Sequence, residues 1–332
     1  MSSSKKIKKR WLVLALLFAL VLLYFSGPQP AQGKYPVTFP SVNTDLQALN
    51  DSINLAEASN PLLRAGNEAR IVWLDSIHKT QRVILYLHGF SASAVEGAPL
   101  HEKMAREMGA NLYLARIVGH GLKSNNLEDF TTSSSWQSVL KALAISEQLG
   151  DEVVIMGTST GCSFGLKLAE LFPTKVKALV NLSPNIRVKD PAGYLLNKPW
   201  GEQIAAAVLG EPRSVRGMGP EYAKYWDTLY TVRALVELQE ILESALTEEC
   251  FANIHQPVLN LYYYKNEEEQ DQVVSVEKIL WMHELLASAD SLKVLKAIPT
   301  AGDHVLASPI KSKDPAAVEA AVRSFFHEVL KW

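Results

Sequence analysis

The chain has 332 residues, 48% of them hydrophobic and 20% charged, with a formal net charge of −2. That apolar content suffices for a sizeable core, in one large α/β domain or two small ones. The near-neutral balance provides no basic face for nucleic acid, and the two cysteines, Cys162 and Cys250, make no disulfide framework.

In chain order, Lys5, Lys6, Lys8, Lys9 and Arg10 precede the apolar run WLVLALLFALVLLYF, Trp11 to Phe25. The run has no polar face, which argues against a core helix, and its length borders both a signal-peptide core and a short membrane anchor. The expectation is a retained transmembrane anchor over residues 1–27. The positive flank would hold the N-terminus in the cytoplasm and leave the catalytic domain outside. The alternative is a signal peptide cleaved near Ala31-Gln32-Gly33, giving a secreted or periplasmic protein. Residues 28–40, rich in Pro and Gly, read as a linker to a domain over 41–332.

Within that domain an amphipathic segment covers about Leu46 to Ala58. ARIVWLDS and RVILYLHGF read as strands joined by the polar turn IHKTQ. PLHEKMAREMG reads as a helix, NLYLARIVGHG as a strand, and SWQSVLKALAISEQLG as a helix closed by Gly150. Val153 to Met156 form a short apolar strand, helical spacing begins at Thr160, and VKALVNLSPN is the next strand. Such alternation predicts a mostly parallel sheet flanked by helices. From about Ile186 to Cys250 helical segments follow one another with no strand between, as in a helical insertion over the sheet's carboxyl edge. The alternation resumes with QPVLNLYYYKN, SVEKILWMHELLAS, SLKVLKAIPT and DPAAVEAAVRSFFHEVL.

The chemistry concentrates at Gly157-Thr158-Ser159-Thr160-Gly161, between a strand and a helix. A serine hydroxyl is a poor nucleophile without a base, an orienting acid and donors for the oxyanion. A tight strand-to-helix turn strains the serine backbone, the glycines let strand and helix approach, and the helix start offers free amides. Ser159 is therefore read as a nucleophile on an elbow. LYLHGFSAS ends a strand where the Phe90 amide could face the same oxyanion, partnered by the Thr160 amide, with His88 orienting the loop. Asp271, in the polar loop EEEQDQVVS, is the candidate acid. Its competing reading is one solvated acid among several, beside Glu267, Glu268 and Glu269. His304, in AGDHVLAS after the last strand, is the candidate base. No zinc, phosphate-loop or dinucleotide motif is present, so no cofactor and no metal is expected.

Taken in order, LYLHGF, RIVGHG, GTSTG, QDQVV and GDHVLAS resemble the α/β-hydrolase superfamily. The nearest likeness is to its carboxylesterase, monoacylglycerol-lipase and serine-aminopeptidase-like branch, and it covers about Ala69 to Leu330. The resemblance implies Ser159 as nucleophile, Asp271 as acid, His304 as base and a helical cap over about 186–250. It implies a serine esterase, lipase-like, taking small-molecule ester or acyl substrates through an acyl-enzyme. Two alternatives stand beside it. An aminopeptidase would need a buried cap carboxylate, for which Glu240 and Glu243 are candidates. A non-catalytic hydrolase-fold binding protein would not need the triad that this chain retains. Tyr194, Trp200, Tyr222, Tyr225, Trp226 and Tyr230 are candidates for an acyl-pocket lining or for ordinary core of the insertion.

Overall fold

The computed structural model describes residues 2–332, with side chains from Lys9 onward. Helices α1 (Ser2–Phe25) and α2 (Leu46–Ala58) come first, the latter started by the Asp45 side chain, which accepts the Ala48 amide. Then follow β1 (Arg70–Val72), β2 (Thr80–Leu87), α3 (Leu100–Glu107), β3 (Ala110–Leu114) and α4 (Thr132–Leu149). The elbow region is β4 (Gly150–Thr158) and α5 (Thr160–Leu171), followed by β5 (Val176–Leu182). An insertion carries α6 (Gly201–Leu209), β6 (Arg213–Ser214), α7 (Gly219–Tyr225), β7 (Leu229–Tyr230), α8 (Val232–Ala245) and α9 (Glu248–Ala252). The chain closes with β8 (Val258–Tyr262), α10 (Val276–Leu285), β9 (Lys293–Ala297) and α11 (Pro315–Ser324).

Seven strands form one sheet in the order β1-β3-β2-β4-β5-β8-β9. Every pairing is parallel except β1 with β3. Successive residues of a strand face opposite sides, so β2 feeds two cores. Val83, Leu85 and Leu87 pack with Trp136, Phe164 and Leu179 on one face. Ile84 and Tyr86 pack with Met156, Val180 and Phe326 on the other. Both faces are covered, which is why the centres of β2, β4 and β5 carry the apolar runs Val83–Leu87, Val153–Met156 and Ala178–Val180. Each such Val, Leu or Ile contributes about 1.5–3 kcal/mol relative to exposure. Sequence and structure agree on the mostly parallel, helix-flanked sheet.

Three features differ from the sequence reading. The strand in ARIVWLDS is only three residues long and pairs with β3, not with β2. The insertion is not purely helical, because β6 and β7 form a two-stranded antiparallel ribbon.

The third correction is the anchor. Among the described residues no helix is long and apolar enough to cross a membrane. The apolar run Trp11 to Phe25 is helical, but its rise is only about 22 Å, against a hydrocarbon core of about 30 Å. The expected transmembrane helix, the topology built on it and the membrane as a partner are withdrawn. Lys5, Lys6 and Lys8 of the positive flank lie outside the residues whose side chains are described.

Residues 28–40 hold no helix or strand and run along the insertion and α4. Gly33 N donates to Glu240 Oε1 at 2.8 Å, and Trp136 Nε1 donates to Pro36 O at 3.0 Å. The Tyr35 hydroxyl lies 2.8 Å from Ser244 Oγ, and Pro28 O accepts the Trp200 amide at 3.1 Å.

Candidate active site

Ser159 sits where β4 ends and α5 begins, at φ 53° and ψ −117°. A non-glycine residue held there stores strain that the surroundings must offset. They do so with backbone bonds: Ser159 N donates to Leu182 O at 3.0 Å, and Ser159 O accepts Cys162 N at 3.0 Å and Asn185 N at 3.2 Å. The turn needs its glycines. A Cβ on Gly161 would collide with Leu87 O, and one on Gly157 would come within 2.7 Å of Cys162 N. Ser159 itself is buried, at 6% exposure, yet lines a cavity of about 650 Å³.

His304 opens on the same cavity. Its Nδ1–H donates to Asp271 Oδ2 at 2.6 Å, which leaves Nε2 as the free acceptor. Asp271 lies in the loop after β8 and is fully buried, and its other oxygen accepts the amides of Val273 at 2.8 Å and Val274 at 3.0 Å. Burial alone would raise this carboxyl, but the His304 pairing and the two amides outweigh it and hold it below the usual Asp range. The reverse holds for the imidazole. Burial would lower it, while Asp271 first, then Glu96 and Asp303, lift it above the ordinary histidine value. No hydrogen bond joins Ser159 Oγ to His304 here; such contacts commonly tighten only around bound substrate.

The competing acids are placed elsewhere. Asp303 turns away from the imidazole: Oδ1 accepts the Val305 amide at 3.0 Å and Oδ2 pairs with Lys311 Nζ at 3.0 Å. Glu267, Glu268 and Glu269 are exposed, with Glu267 on the Tyr264 hydroxyl and Glu269 on Lys265. Glu240 and Glu243 do not line the cavity. Glu240 accepts Gly33 N and Asn197 Nδ2, and Glu243 accepts Gln239 Nε2 and faces Lys198.

The Phe90 and Thr160 amides donate to no acceptor among the described residues. The loop carrying Phe90 is fixed by His88, which is fully buried. Ile117 N donates to His88 Nε2 at 3.0 Å, so the ring proton sits on Nδ1, which donates to Gly89 O at 2.9 Å. That bond orients the Gly89–Phe90 peptide, whose carbonyl and N–H point in opposite directions. Burial lowers the imidazole to about 4, so the neutral tautomer persists at ordinary pH. Among the described residues, no three His, Cys, Asp or Glu side chains converge as a metal site.

The insertion supplies the cavity's apolar wall. Of the candidate aromatics, Tyr222, Trp226 and Tyr230 line it, whereas Tyr194, Trp200 and Tyr225 do not. Sequence reasoning missed two charged side chains. Asp227 is buried, pairs with Arg64 at 2.6 Å and so ties the insertion to the body; burial raises its carboxyl to about 6. Glu96, 3% exposed, lines the cavity and accepts Gly89 N at 2.7 Å. Nothing in AVEGAPLHEK marks that glutamate as buried, since it reads as a solvated residue near a helix start.

A strained serine after a central parallel strand, facing a histidine–aspartate pair carried by two later loops, can be compared with solved structures. A metagenome-derived lipolytic enzyme superposes with a TM-score of 0.64 at 19% identity, over 80% of this chain and 99% of that one. The monoacylglycerol lipase of Paleococcus ferrophilus gives 0.55 at 15% identity, over 76% and 95%. The peroxisomal alpha-beta-hydrolase Lpx1 of Saccharomyces cerevisiae gives 0.54 at 14%, over 82% and 86%. The chain has the α/β-hydrolase fold. Within it, the insertion between β5 and β8 lies where the cavity needs a roof, and the loops after β8 and β9 bring Asp271 and His304 to the elbow. No protein-family profile matches this chain, and no curated protein matches it either.

Proposed function

We propose that the protein is a serine hydrolase of carboxylic esters, working through an acyl-enzyme, with the insertion at about 186–250 as its cap. The observation that carries this reading is the 2.6 Å Asp271–His304 bond opening onto the cavity that holds strained Ser159. His304 Nε2 takes the Ser159 proton as Oγ bonds to the ester carbonyl carbon, and the carbonyl electrons move onto oxygen. The unsatisfied Phe90 and Thr160 amides receive that oxyanion. Collapse breaks the carbon–alkoxy bond, and the alcohol leaves with the proton from His304. Water, deprotonated by the same imidazole, then releases the acid and restores Ser159. Solved neighbours described as lipolytic enzymes and a monoacylglycerol lipase support esters as the substrate class.

The experiment is a fluorophosphonate label on the folded protein, together with turnover of chromogenic esters. Wild type takes the label, and Ser159→Ala loses both label and turnover, the latter by several orders of magnitude. An unlabelled wild type, or a mutant that keeps its turnover, overturns the proposal.

A further inference from the structure

Gly89 is flanked by two groups that no sequence motif connects. A Cβ built on it would come within 3.0 Å of Glu96 Oε2, 3.1 Å of Glu96 Oε1 and 3.1 Å of Ser159 Cβ. The Glu96 carboxylate and the nucleophile therefore face each other across a bare backbone, in one cavity. Its partners carry no permanent charge: the Gly89 amide at 2.7 Å, then the His304 imidazole, which must be neutral to act as base, and the Trp226 indole all favour the ionised form. Among the described residues no lysine or arginine forms an ion pair with it. Of the two permanent cations that line the cavity, Lys311 is bound to Asp303 and Arg213 faces Tyr230. Burial dominates and lifts this carboxyl to about 7.

A buried carboxylate without a cation is costly, and an ammonium brought by a ligand would complete the pair. The reacting carbonyl must lie at Ser159, so that ammonium would sit within two or three bonds of it. The rest of the cavity wall is mixed, with Val188, Leu196, Tyr230 and Leu238 on the insertion side and Gln270 and Gln272 from the loop after β8. We infer that Glu96 selects esters carrying a primary ammonium group close to the scissile carbonyl. This rests on the serine-hydrolase reading and names its substrate class. The carboxylate is supplied by the loop after β2, not by the insertion, where Glu240 and Glu243 are otherwise engaged.

Two isosteric substrates test it: benzyl 3-aminopropanoate and benzyl butanoate, which differ by an ammonium in place of a methyl. Wild type at pH 7.5 should favour the ammonium ester in kcat/KM by about tenfold or more, as a charge-assisted contact would. Glu96→Gln keeps an acceptor for Gly89 N but removes the charge. It should lose that preference at least tenfold, with kcat/KM for the ammonium ester falling by more than that for the butanoate. Fluorophosphonate labelling of Ser159 in both proteins confirms a folded, competent site. Labelled proteins that hydrolyse both esters alike, or a variant that slows both equally, would overturn the selection and leave Glu96 as a brace for the loop. Absence of label in the wild type would instead overturn the hydrolase reading, and the selection with it.

Discussion

A carboxylate that accepts one imidazole N–H and two backbone amides cannot be exchanged for its amide without consequence. Asp271→Asn keeps an acceptor for Val273 and Val274, yet its NH2 favours the imidazole tautomer with the proton on Nε2. Turnover should fall by up to about 10⁴ with little change in unfolding midpoint. Asp303→Asn loses only the Lys311 pair and should cost far less. The reverse ranking, with both proteins folded, would move the acid to Asp303. On the proposed mechanism, His304 sets the pH dependence. The base must be neutral, and Asp271, Glu96 and Asp303 hold its proton on above the ordinary value of about 6.5. Activity should therefore be lost on acidification through a midpoint above about 6.5. A kcat/KM profile flat down to pH 5 would exclude this imidazole as the base.

At the scale of elements, the elbow tolerates no side chain where α5 meets the sheet. Gly161→Ala would drive Cβ into the Leu87 carbonyl, which the β2 ladder holds in place, and should cost at least about 2–3 kcal/mol. Gly165→Ala, one turn on, meets only Ile155 Cγ2 at 3.2 Å and gains helix propensity, so it should stay within about 1 kcal/mol of wild type. Urea unfolding of both variants distinguishes the positions. The same physics decided what could be read in advance. β2, β4, β5 and β8 were legible because strands buried on both faces are apolar at their centres, save Asn181 and Asn260, which bond each other at 2.9 Å. The GTSTG turn was legible because its sterics demand those glycines. The β6–β7 ribbon and the β1–β3 pairing rest on two and three residues held by distant contacts, so no local pattern announces them. Glu96 was hidden for a related reason: burial of a charged residue depends on what packs over it, here the Trp226 side of the insertion. The apolar character of α1 was plain, but whether its rise suffices to span a bilayer is a question of length.

For the whole molecule, three buried imidazoles make acid the weak side. Burial lowers His88 and His101 to about 4 and depresses His120 as well. Unfolded, each would titrate near 6.5, so the stability they confer is complete above 6.5 and is lost as pH falls toward 4. His88 and His101 account for roughly 3 kcal/mol each at most. Glu96 and Asp227, raised to about 7 and about 6, work the other way, favouring the fold at low pH and losing that contribution as pH rises through those values. With His283 also lowered and Glu240 also raised, four imidazoles stand against three carboxyls, so the urea midpoint should drop between pH 6.5 and 4; a constant or rising midpoint would refute the balance.

The extended stretch 28–40 bears on how the cavity could breathe. It fastens α8 through Glu240 and Ser244, while Thr132 N bonds Glu237 Oε2 and Arg187 grips the Leu242 carbonyl, so that helix is bolted to the body from both sides. Helix α7 is held more lightly, by Asn67 Nδ2 on the Lys224 carbonyl and Arg64 on the Ala223 carbonyl, whereas α6 has only Gly201 buried and no such bond to the body. Deuterium should therefore enter the amides of α6 orders of magnitude faster than those of α8. The roof would then act less as a hinged lid than as a fixed beam with a loose awning, and substrates would pass beneath the awning.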